Sequence, residues 1–84
     1  MLSVELSNSA KKFLKHIHPP LAKRLVDRVE KLAQDPFPKD VKRVVNRKEK
    51  IFRVRVGSYR IQYSVFFDRN LLFISDIDKR ERAY

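Results

Sequence analysis

The chain has no cysteine and only one glycine, Gly57. Without cysteine there is no disulfide, no thiolate metal site and no cysteine nucleophile. A single glycine leaves the backbone few hinges. No apolar stretch approaches the ~18 residues that a membrane span requires. The start, Met1-Leu2-Ser3-Val4-Glu5-Leu6, has neither a basic leader nor a long apolar run. No signal peptide is therefore expected, and the expected location is cytoplasmic. Acidic residues are scarce as well: 10 Asp and Glu face 20 Lys and Arg, for a formal net charge of +10. Such an excess points to nucleic acid or an acidic protein as partner and says nothing about fold. The 84 residues suffice for one small domain, taken as 1–84, and not for two.

What is present is organised around Lys50 to Tyr63, where apolar and polar residues alternate on both sides of Gly57-Ser58. That alternation predicts a half-buried β-hairpin, and a glycine opening a two-residue loop suits a type II′ turn. The loop fixes a register in which Val56 faces Tyr59, Val54 faces Ile61 and Phe52 faces Tyr63 on the core side. On the other side Arg55 lies opposite Arg60, and Arg53 opposite Gln62. Like charges opposite one another weaken a strand pair, and a fold that needed only solubility would stagger them with glutamates. The cluster therefore points to a bound polyanion, with a solvated basic face on a small α+β domain as the alternative reading. Between Lys39 and Arg60 the chain carries nine cations and two anions, which concentrates the excess charge here.

Elsewhere, Leu2, Val4 and Leu6 alternate as a short strand, and Ser7 or Asn8 is placed to cap a helix. Ala10, Phe13, Leu14 and Ile17 form its apolar face. His18-Pro19-Pro20 breaks that helix and starts a second one with stripe Ala22, Leu25, Val26, Val29, Leu32 and Ala33, which stops at Asp35-Pro36-Phe37-Pro38. Val41–Val45 reads as a short strand, Asn46–Lys50 as a polar connection and Tyr59–Phe67 as a longer strand. A turn of two or three residues at Asp68-Arg69-Asn70 leads to a last strand, Leu71–Asp78. With a two-residue turn, Phe66 and Phe73 share the arginine face as an apolar shelf suited to a stacked base or an amphipathic helix. The expected fold is α+β: an N-terminal strand and an αα-hairpin packed on one face of a small, antiparallel-rich sheet. His16 and His18 face different ways and make no metal pair, so neither metal nor cofactor is expected. Asp76 and Asp78 are expected to pair with Lys79, Arg80 and Arg82.

This order of elements, with Phe-Arg-Val-Arg-Val-Gly-Ser-Tyr-Arg-Ile-Gln-Tyr and a closing Asp-Lys-Arg-Glu-Arg-Ala-Tyr, resembles the RelE toxins of the RelE/ParE superfamily over nearly the whole chain. The resemblance implies a toxin of a type II toxin–antitoxin system. Such a toxin is a ribosome-dependent endoribonuclease that cleaves mRNA in the A site and is neutralised by a RelB-type antitoxin in a hetero-oligomer. It also implies the site. Arg53 and Arg55 match the two basic residues before the turn, Arg60 the arginine after Gly-x-Tyr, Arg80 the arginine of the C-terminal motif and Tyr84 the C-terminal tyrosine. Where well-known relatives carry lysines this chain has Arg53 and Arg55, and arginine does not ordinarily act as a base. Lys42, Arg43, Arg47, Lys48, Lys50 and Arg82 are candidate RNA-binding residues. The alternatives are a ParE-like inhibitor of DNA gyrase and a non-catalytic RNA- or ribosome-binding module.

Overall fold

The computed structural model describes residues 1–44 and 50–79, which form one five-stranded sheet with two helices over one face. The elements are β1 (Ser3–Leu6), α1 (Asn8–His16), α2 (Pro19–Gln34), β2 (Lys42–Val44), β3 (Ile51–Val56), β4 (Tyr59–Phe66) and β5 (Leu71–Lys79). Across the sheet the order is β1-β5-β4-β3-β2. Neighbouring strands are antiparallel except β1, which lies parallel to β5 at one edge. This is the α+β arrangement that the sequence implies.

The helices start where local chemistry favours them. The Ser7 hydroxyl accepts from the Ala10 N–H at 3.1 Å, capping α1, and donates to the Ser75 carbonyl at 2.9 Å. One side chain therefore both starts the helix and ties it to β5. Pro19 and Pro20 occupy the first turn of α2, where a missing N–H removes no helical bond. From α2, Leu25, Val29, Leu32 and Ala33 are buried at helical spacing against Val54, Ile61, Tyr63, Leu72, Ile74 and Ile77 of the sheet. Val26, expected in the same stripe, is 39% exposed and stands at its margin. Phe13 of α1 packs edge-on against Tyr59 with ring centroids 5.9 Å apart.

The first hairpin has the expected register, from Val56 opposite Tyr59 to Phe52 opposite Tyr63. Gly57 has φ +61°, while Ser58 has no positive φ, the combination that type II′ requires. The second connection differs from expectation. Phe66 pairs with Leu71, and the four residues between them form a 3₁₀ turn, Phe67–Arg69, closed by Asn70 in the left-handed region at φ 52°. A bulge also interrupts the β4–β5 ladder: Gln62 pairs with Asp76 and Tyr63 with Ile74, which leaves Ser75 as the extra residue. Phe73 pairs with Ser64, so Phe66 and Phe73 do share the arginine face despite the longer turn.

Candidate nucleic-acid interface

Alternation along the strands sends Lys42, Arg53, Arg55 and Arg60 to the face away from the helices. The registers set the polar residues in two rows across the sheet. One runs Lys42, Arg53, Gln62, Asp76, and the next runs Arg55, Arg60, Asp78. Each row is cationic at the β2–β3 edge and acidic on β5. A polyanion on this face is drawn toward the β3 edge.

That edge is also where the surface opens. β2 pairs with β3 only from Ile51 to Arg53, and among the described residues no strand flanks β3 on that side from Val54 to Val56, where β4 alone pairs with it. The gap forms a notch of about 440 Å³ lined by Asp40, Lys42, Arg53, Val54 and Arg55. Asp40 does not cancel these cations, because the Arg28 guanidinium donates to both its carboxylate oxygens at 2.7 Å. Arg55 is shared with a second depression of about 250 Å³, lined also by Val56 and by Arg24, Asp27, Arg28 and Lys31 of α2. Arg24 reaches the hairpin turn itself: a methyl group on Gly57 would stand 3.8 Å from its Nη2.

Arg60 is arranged differently. Its Nε donates to Asp78 Oδ1 at 3.2 Å and its Nη2 to Oδ2 at 3.3 Å, a two-pronged ion pair between adjacent strands. Among the described residues the ion-pair partner of Asp78 is therefore Arg60 and not the expected neighbour Lys79, while Arg80 and Arg82, also expected as partners, lie outside the described residues. The partner comes from β4, because the register places Arg60 beside Asp78. The arginine cluster is thus not wholly without compensating acid, since Asp78 faces Arg60 from the side opposite Arg55. With the Asp78 side chain 41% exposed, such a pair contributes about 0–1 kcal/mol to stability. Asp76 is engaged elsewhere, accepting from the Ser9 hydroxyl at 3.2 Å.

The remaining candidate residues fall into three groups. Arg43 pairs with Phe52 and so lies on the helix side of the sheet, away from Lys42. Lys50 is exposed just before β3, where its carbonyl accepts from Ser64. Arg47, Lys48, Arg80, Arg82 and Tyr84 lie outside the described residues. On the shelf, Phe66 is 40% exposed and carries the Arg69 guanidinium 5.7 Å from its ring centroid. Tyr63 is a core anchor: burial, the largest cause, pushes its hydroxyl well above the usual phenol value, and it donates to the Pro36 carbonyl.

Sequence reasoning missed Arg24, Arg28, Asp40 and the pairing role of Asp78. The helix residues carry no local signal, because their approach to the sheet depends on how α2 crosses it. Asp78 alternates with Ile77, which puts it on a polar face. Only the register puts it beside Arg60.

The comparisons with known proteins bear on the fold and the lineage. The family model for the ParE toxin of type II toxin–antitoxin systems, parDE, matches residues 4–84. A curated relative from Methanocaldococcus jannaschii, provisionally named toxin RelE1, is 36% identical over 85 residues, which cover 98% of this chain and 93% of the relative. A chain of the archaeal RelE–RelB complex from Pyrococcus horikoshii superposes with TM-score 0.82 at 24% identity, with 98% of each chain covered. The isolated Escherichia coli RelE toxin superposes with TM-score 0.83 at 14% identity, covering 99% of this chain and 88% of that one. The two structures support the fold, and the family model and the curated relative establish the lineage. The chain belongs to the RelE/ParE family of toxins of type II toxin–antitoxin systems.

Proposed function

We propose that this toxin is a ribosome-dependent endoribonuclease that cleaves mRNA in the A site and stops translation in the cytoplasm. The observation that carries the reading is the convergence of Lys42, Arg53 and Arg55 on one open notch, with Arg60 in the adjoining row. RNA supplies its own nucleophile: the 2′-oxygen attacks the adjacent phosphorus and the 5′-oxygen leaves. The protein's task is to hold the phosphate in line and meet the charge that develops on it. Guanidinium forks match phosphate oxygens, so Arg53, Arg55 and Arg60 act as the clamp, joined by Arg80. Arginine does not take up the 2′-hydroxyl proton, which passes to Tyr84, Lys79, a nearby carboxylate or a ribosomal group. Tyr84 or Phe73 stacks on a base.

The partner that restrains the toxin is an acidic antitoxin of the RelB type, which forms a hetero-oligomer with it. The net charge of +10 and the exposed Phe66 support this, as does the likeness to a chain of the P. horikoshii complex. A second reading, inhibition of DNA gyrase by binding, is favoured by the matching family model, which is that of the ParE toxin.

One preparation assayed for protein synthesis in an extract and for gyrase supercoiling separates the two. Arrested synthesis with normal supercoiling is expected. Impaired supercoiling with normal synthesis would replace the endoribonuclease reading with the gyrase one.

A further inference from the structure

The ion pair between Arg60 and Asp78 poses a problem for a phosphate clamp. The guanidinium edge formed by Nε and Nη2, the edge that would grip two phosphate oxygens, already grips two carboxylate oxygens at 3.2 and 3.3 Å. The Arg60 side chain is only 18% exposed, whereas Asp78 is 41% exposed. The arginine is therefore held in place while the carboxylate is free to turn toward water. On its other side Arg60 faces Arg55, whose charge raises the local demand for an anion.

We propose that Asp78 is a displaceable counter-ion that occupies the phosphate seat of Arg60 in the free protein, and that the RNA backbone must expel it to engage the clamp. Asp78 is a positioning residue on this account. It keeps the Arg60 fork aligned and offsets the repulsion from Arg55, and it sets a threshold against weak anions because its carboxylate must leave before a phosphate can take the Arg60 fork. Lys42, Arg53 and Arg55 have no such plug among the described residues, so the backbone contacts the notch first and Arg60 second. The proposal rests on the reading of this face as an RNA site.

The test is a double-mutant cycle on binding of a single-stranded 2′-O-methyl RNA oligonucleotide, which lacks the nucleophile and stays intact. The proteins are wild type, Asp78→Asn, Arg60→Ala and the double variant. Asp78→Asn is expected to tighten binding several-fold, and loss of Arg60 is expected to cost about fivefold more in the Asp78→Asn background than in wild type. A merely structural Asp78 would give the opposite sign, with weaker binding and no gain from Arg60. Asp78→Glu restores the charge and is expected to bind as wild type. Equal costs of Arg60→Ala in both backgrounds, or Asp78→Glu behaving like Asp78→Asn, would overturn the proposal. If the cycle holds but no variant cuts mRNA on ribosomes, the endoribonuclease reading fails and the counter-ion role stands. If wild type cuts and the cycle shows equal costs, the reverse is true.

Discussion

The hydroxyl of Tyr63, in the middle strand of the sheet, donates to the carbonyl of Pro36 in the connection that leads from α2 to β2. Tyr63 is fully buried, and its ring lies 5.9 Å from that of Phe52. One bond thus fastens the segment bearing Asp40 and Lys42 to the strand bearing Arg60. Tyr63→Phe keeps the ring and removes the bond, leaving a carbonyl without its partner. Urea unfolding should show a loss of about 1–2 kcal/mol. Tyr63→Ala, which also empties the core there, should cost roughly 3–5 kcal/mol and leave little folded protein.

The same residue ties stability to alkaline pH. Burial raises the Tyr63 hydroxyl above its usual value of 10.0, so the folded state holds the proton after the unfolded chain has released it. Unfolding then releases a proton, and stability falls as pH rises above about 10. Tyr63→Phe has no such proton. Its unfolding free energy should decline less between pH 9 and about 11 than that of wild type, measured by urea titration at each pH.

Gly57→Ala tests the turn. The new methyl group would meet only Arg24 Nη2, at an ordinary 3.8 Å, so crowding is not the issue. The cost is the left-handed backbone at φ +61°, about 1–2 kcal/mol for a residue with a side chain. A midpoint in urea unchanged from wild type would show that the turn adopts another geometry.

Salt dependence of RNA binding tests the face. Removing Lys42, Arg53 or Arg55 should reduce the log–log slope by about 0.7 each on a single strand, the value of one phosphate contact. Arg43→Ala removes the same charge from the strand of Lys42 but from its opposite face, and should leave the slope where it was. Lys12→Ala, on exposed α1, is the second control. Equal effects at all five positions would mean that overall charge, and no particular face, binds the RNA.

The hairpin was legible because its information is local. Strict alternation around Gly57-Ser58 sets both the faces and the register, down to Arg55 opposite Arg60. The helices were legible for the same reason, through the stripe from Leu25 to Ala33 and the prolines at each end. What escaped depends on distant parts of the chain. Nothing in Ser3–Leu6 says that β1 will lie parallel to β5 rather than beside another strand. The Arg60–Asp78 pair spans 18 residues and depends on a bulge at Ser75 that no turn signal announces. Likewise the notch exists because β2 stops at Lys42 while β3 runs on to Val56, a difference in strand length that alternation alone does not give.

The most direct test of the central claim is primer extension on an mRNA in a translating extract, comparing wild type with Arg55→Ala and Lys12→Ala. The account predicts discrete cuts at A-site positions that require ribosomes, persist with Lys12→Ala and fade with Arg55→Ala. Cuts that persist unchanged without Arg55, or an intact mRNA under arrested translation, would contradict it.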